Sequence, residues 1–110
     1  MFSYKLMCVC GFQTAEAFLG LKQLPGLLRA GFPVYLPEKG SLLTHWITFP
    51  KEKFSEKGID PWIAAHAKEH VANEHGDIAV IVDANGSNLP TLKCPNCRSN
   101  KMKLECTGIY

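Results

Sequence analysis

Tyr4-Lys5-Leu6-Met7-Cys8-Val9-Cys10-Gly11 stands near one end of the chain, and Lys93-Cys94-Pro95-Asn96-Cys97-Arg98 near the other. Each contains two cysteines at short spacing, a C-x-C pair followed by glycine and a C-x-x-C pair. Zinc takes four tetrahedral ligands, thiolates or imidazoles, commonly delivered as two short pairs from separate turns. A short spacing also lets backbone N–H groups of the same turn point at the sulfurs and stabilise the thiolates. On this reading Cys8, Cys10, Cys94 and Cys97 bind one structural zinc that ties the two ends together. Gly11 supplies the positive φ angle of a tight turn.

The arrangement resembles the zinc-ribbon family, whose two knuckles each sit at the tip of a β-hairpin. The resemblance covers about residues 4–13 and 92–107. It implies that Cys8, Cys10, Cys94 and Cys97 are the ligands, that Gly11 is the turn glycine, and that Lys101–Thr107 is the strand leaving the second knuckle. The first pair has one intervening residue where two or more are commoner, and the stretch 12–93 is a long insert. Closing a loop costs only about 0.6 kcal/mol per doubling of its length, so the insert is tolerable if its ends are adjacent. Two other readings of the cysteines stay open: buried thiols, or a redox C-x-x-C. A redox pair needs to follow a strand and open a helix, whereas Arg98-Ser99-Asn100 reads as a turn. Cys106 is expected as a buried apolar residue of the last strand, and it is a substitute fourth ligand if Cys8 points elsewhere.

The 110 residues are the length of one domain, and 46% hydrophobic with 20% charged residues is ordinary globular material. Such a chain buries a core of its own, so a metal adds to its stability. A net charge of +2 is too small to imply a nucleic-acid partner from global electrostatics. Lys5, Glu16, Lys22 and Arg29 interrupt the apolar residues of 1–30, leaving no signal-peptide core. No run approaches the roughly 18 apolar residues of a membrane span. With five cysteines, a disulfide framework would leave one unpaired, and a reducing compartment suits thiolate ligands better. The cytoplasm is the default expectation.

Between the cysteine pairs, 3–9 reads as a strand, and Thr14 as the N-cap of a helix through Ala15, Ala17, Phe18 and Leu21. Pro25-Gly26 interrupts that helix, with a short second turn to Gly31. Pro33–Leu36, bounded by prolines, suggests an edge strand or loop, and Leu42–Phe49 a half-buried strand. Lys51–Lys57 reads as a solvated connection. The clearest helix follows, with Asp60 as N-cap, Pro61 at its first position and Gly76 at its C-terminal cap. Ile63, Ala67 and Val71 form its core-facing stripe. Ile78–Val82 suggests a buried central strand, Asn85-Gly86 a hairpin turn, Leu89–Lys93 the returning strand, and Lys101–Tyr110 a final strand. The fold class is α+β: a small antiparallel-rich sheet, one main helix, and a zinc ribbon joining the termini. The domain expectation is a single unit, 1–110, with knuckles at 8–11 and 94–97 and an α/β insert at 12–93.

Two further clusters bear on function. His66-Ala67-Lys68-Glu69-His70 matches H-x-x-E-H, the signature of a class of metallopeptidases, and i, i+4 histidines share one helix face. Those enzymes need a further acidic ligand from a later helix, and none is expected here. The alternatives are His66 and His70 packing where the helix meets the sheet, with Glu69 and Glu74 solvated, or a second metal site using His66, His70 and His45. Around the second cysteine pair, Lys93, Arg98, Lys101 and Lys103 carry no intervening acid. Zinc ribbons often use such a face for nucleic acid or protein, and phosphate contacts would be steeply salt-dependent. The same charges offset a four-thiolate zinc site, and no aromatics for base stacking interleave them. The leading function is thus a non-catalytic zinc-binding module contacting nucleic acid or a protein partner. The alternative is a metal-dependent hydrolase using His66, Glu69 and His70. No Ser/His/Asp arrangement, P-loop or dinucleotide fingerprint is apparent.

Overall fold

The computed structural model describes residues 1–55, 58–59, 61–83 and 85–110. The fold is α+β. Its main sheet takes β1 (Phe2–Met7), β2 (Ala17–Leu24), β3 (Leu27–Leu36), β4 (Ser41–Pro50), β7 (Val80–Ile81) and β8 (Lys103–Ile109). Their order is β4-β3-β2-β1-β8, with β7 also paired to β3, and every pairing is antiparallel. A two-residue hairpin, β5 (Phe54–Ser55) with β6 (Gly58–Ile59), precedes α1 (Pro61–His75).

Side chains in a strand alternate faces, so the β3–β4 register sorts the core. Leu28, Ala30 and Phe32 stand opposite Phe49, Ile47 and His45 on one face. Against that face α1 lays Ile63 and Ala67, and Val71 is buried further along the same stripe. Fully burying an Ile or Val contributes about 1.5–3 kcal/mol, so these residues dock the helix. Tyr35, opposite Leu42, belongs to the other face, where Leu6, Ala17, Val82, Leu92 and Met102 form a second core together with Cys8 and Cys94.

The expected α1 is found with both bounds, and Gly76, at φ 92°, donates its N–H to Ala72 O at 2.9 Å as a C-terminal cap. The N-cap expectation for Asp60 lies outside the described residues. The first and last strands and Leu42–Phe49 also form as expected.

Elsewhere the structure corrects the sequence reading. The expected helix from Ala15 is strand β2. Thr14 does not cap a helix; it accepts the Leu6 N–H on its side-chain oxygen at 2.9 Å and donates its own N–H to Leu6 O at 3.0 Å. Pro25-Gly26 is a two-residue hairpin turn into β3, with Leu24 opposite Leu27 and Gly26 at φ 74°. Proline then glycine is the combination a type II turn favours. Pro33 lies inside β3, not on an edge. Its carbonyl accepts Val82 N–H, so its nitrogen also faces away from β4 and the β3–β4 ladder loses nothing. On its free side Pro33 falls between the last β2 partner, Gly31, and the first β7 partner, Val34.

Ile78–Val82 is no central strand: only Val80–Ile81 pair, and Ile78 is 48% exposed. The stretch 89–93 does not return as a strand, because Leu89–Thr91 forms a 3-10 turn with Pro90 inside it. Asn88 holds that corner, donating to Ile81 O at 2.7 Å and accepting from Asp83 N–H at 3.0 Å. In the charged connection after β4, Lys51–Lys53 is a 3-10 turn leading into the β5–β6 hairpin, and residues 56–57 lie outside the described residues.

Candidate metal centre

The β1–β8 pairing decides where the cysteines meet. Met7 stands opposite Lys103 at one end of this pair, while at the other Met1 and Tyr110 exchange backbone hydrogen bonds of 2.8 and 2.7 Å. Both cysteine pairs therefore fall at the same end of the sheet. The first turns back on itself: Met7 bridges to Gln13, Cys8 N–H donates to Phe12 O at 2.9 Å, and Gly11, at φ 100°, donates to Cys8 O at 3.0 Å. The second closes through Arg98 N–H to Cys94 O at 2.8 Å and Cys94 N–H to Ser99 O at 2.9 Å.

The sulfurs of Cys8, Cys10, Cys94 and Cys97 all lie within 4.8 Å of one another, with Cys8–Cys97 at 3.5 Å and Cys10–Cys94 at 3.6 Å. Disulfide sulfurs sit at about 2.05 Å, and all five cysteines are free. Ligands 2.3 Å from a tetrahedral zinc are about 3.8 Å apart, so the spacing fits a metal ion at the centre. Cys8 and Cys94 are buried in the core, and Cys10 and Cys97 are exposed. The inner pair thus belongs to the packing, and the outer pair closes the site against solvent.

Polar groups around the sulfurs separate their acidities. Burial pushes the Cys94 thiol up to about 11, against backbone N–H groups of Cys97 and Asn96. The Ser99 hydroxyl, 3.1 Å from Cys97 Sγ, and then the Ser99 N–H draw Cys97 down to about 6. The Asn96 amide, donating at 3.4 Å, and the Phe12 N–H hold Cys10 below the usual thiol range. The expected N–H donation within the knuckles is thus present. The side-chain donors Asn96 and Ser99 are an addition that cysteine spacing alone does not signal. Tyr35 Oη is buried beside this core without a hydrogen-bond partner among the described residues.

No family model, curated protein or solved structure matches this chain. The metal reading therefore stands on the geometry of the four sulfurs.

Cys106 corrects the expectation made for it: it is exposed on β8, with its thiol on Gly108 O at 3.5 Å, and it is no member of the sulfur cluster. It pairs with Tyr4, beside the register shift between Ser3 and Tyr4. Lys93, Arg98, Lys101 and Lys103 are all exposed around the second knuckle, and none makes an ion pair among the described residues. Arg98 sits at φ 60°, a conformation that costs a residue with a Cβ roughly 1–2 kcal/mol. Arg98→Gly should therefore raise stability by about 1 kcal/mol, read as a higher denaturation midpoint; an unchanged or lower midpoint would contradict the strained turn.

Of the H-x-x-E-H residues, only His70 joins a converging group. His66 stacks on Trp62, with centroids 5.0 Å apart at 12°, and Glu69 is exposed. His70 instead meets His45, which is 3% exposed on β4, and Glu74 and His75 lie beside the same imidazole. Burial pushes His45 below the ordinary histidine value, with the Glu74 carboxylate pulling the other way. Of the expected trio His66, His70 and His45, the structure brings His45 to His70 and leaves His66 on Trp62; it adds His75 and places Glu74, expected as solvated, beside the same imidazole. No helix among the described residues is long and apolar enough to cross a membrane.

Proposed function

We propose that this protein is a small zinc-binding module whose metal is structural, with Cys8, Cys10, Cys94 and Cys97 as its ligands. The carrying observation is the convergence of four sulfurs, two from each end of the chain, at tetrahedral spacing. Four thiolates leave no open position for substrate, which is the mark of a structural and not a catalytic zinc. The cation would hold all four sulfurs deprotonated, overriding the spread of acidities seen among them. On this reading residues 1–110 work as one unit, the zinc-ribbon-like knuckles closing over the insert 12–93. Metal analysis of freshly purified reduced protein should return one tightly held zinc per chain from this site, and a zinc-free preparation would overturn the assignment.

The module acts by binding, with nucleic acid as the leading partner. Support comes from four exposed cations, Lys93, Arg98, Lys101 and Lys103, around one knuckle, none with an ion-pair partner among the described residues. Such side chains engage phosphates and carry little sequence information. Titration with single- and double-stranded oligonucleotides should show binding that weakens steeply with salt, and Lys101→Ala or Lys103→Ala should each reduce the salt slope by about one unit. No binding at low salt would remove nucleic acid and leave a protein partner at the knuckle and the 51–57 segment.

A further inference from the structure

We propose that His45, His70 and Glu74 form a second metal site, for a divalent transition ion, separate from the four-cysteine cluster. It starts from an anomaly in β4. His45 stands among Phe32, Ile47 and Phe49 on the helix-facing side of the sheet, yet it is 3% exposed and polar at both ring nitrogens. Both nitrogens are aimed at metal-ligand atoms of α1. Nε2 lies 2.7 Å from His70 Nδ1, and Nδ1 lies 3.1 Å from His75 Nε2 and 3.5 Å from Glu74 Oε2. His70 Nδ1 and Glu74 Oε2, one helical turn apart, are 3.9 Å from each other. One ligand atom from each of His45, His70 and Glu74 falls within 4.8 Å of the others.

A lone buried imidazole needs one donor and one acceptor to be satisfied. Two further imidazoles and a carboxylate around it exceed that need, and two imidazoles with one carboxylate are a donor set that suits zinc and its neighbours. The division of labour follows from the ring nitrogens. His45 binds the ion through Nε2, while its Nδ1–H donates to His75 Nε2, the outer-shell bond that fixes tautomer and ring direction. Ligands on one tetrahedral ion stand about 3.4 Å apart, so His70 must move outward by less than 1 Å. At 47% exposure it has room, and Glu74 is 58% exposed. Three protein ligands on a solvent-facing edge leave a coordination position open, unlike the closed cysteine site. The ion would also pin the C-terminal half of α1 to β4.

The test uses untagged protein already loaded with zinc at the cysteines, dialysed against rising zinc and then against cobalt(II). The parent should take up a second equivalent, and His70→Ala and Glu74→Ala should each abolish it while keeping the first equivalent and a cooperative melting transition. His75→Gln should weaken the second equivalent by about tenfold to a hundredfold. Cobalt at the second site should show weak ligand-field bands without sulfur-to-metal charge transfer. A parent that holds one zinc at every concentration overturns the proposal while leaving the cysteine site intact. So does a second equivalent that survives in the double variant His70→Ala/Glu74→Ala, or one that carries the thiolate charge-transfer band.

Discussion

Cys94→Ser should lose the bound zinc and melt on the order of 10–20 °C below the parent, a drop equivalent to about 3 kcal/mol for a domain of this size. The reason is twofold. Cys94 is fully buried in the core beside Leu6, Leu92 and Met102, so the serine hydroxyl enters an apolar setting and replaces a thiolate by a poor ligand. The remaining three sulfurs then face one another without the cation that holds them deprotonated. Cys97→Ser tests the same site from its exposed side, where lost packing contributes little and the loss reports the metal. Cys106→Ser is the internal control: exposed on β8 and away from the cluster, it should change stability by less than about 0.5 kcal/mol. If Cys97→Ser also melts like the parent, the four-thiolate site is not what joins the two ends.

The second large effect is expected at Gly31, in the middle of β3. It stands opposite Trp46 of β4, and a Cβ placed on it would come 2.5 Å from Trp46 Cζ3 and 2.7 Å from Cε3 and Cη2. The indole lies flat across the glycine with Arg29 4.7 Å and Lys22 5.5 Å from its ring centre. Displacing it costs both the close packing and this cation–π arrangement, so Gly31→Ala should destabilise by about 2 kcal/mol despite the better strand entropy of alanine. The strain belongs to the pair. In Gly31→Ala/Trp46→Ala the methyl has nothing to strike, and the double variant should be more stable than the sum of the two single changes implies, by about 1 kcal/mol or more. Strict additivity in denaturant unfolding would show that the ring yields without cost.

How far the local pattern carries depends on where an element's partners lie. Helix α1 was legible because its signals are internal: proline at the first turn, glycine at the last, and an apolar residue every fourth position. The cysteine cluster was legible for a related reason, since short pairs announce a tetrahedral ion whatever lies between them. The segment 14–24 was not. Its Ala, Leu and Phe residues suit a helix as well as a strand, and the choice fell to ladder partners at 2–4 and 27–31. The stretch 78–93 failed in the opposite direction. A β-branched run and an Asn-Gly turn promised a hairpin, yet the Asn88 side chain and Pro90 fold it into a corner where two residues pair.

The sequence by itself determined the α+β class, the bounds of α1, strands expected within 3–9, 42–49 and 101–110, and the four cysteines as one group. Only the tertiary structure decided that Ala17–Leu24 is a strand, that Pro33 sits in the sheet interior, that Cys106 stays outside the cluster, and that His70 finds His45 in preference to His66. The divide has a physical cause. Caps, turns and ligand spacings act within a few residues and leave their mark in the local order of side chains. The histidine cluster instead draws its members from positions 25 and 30 residues apart, and strand β2 is fixed by partners in two other strands, so neither is written in the order of its own residues.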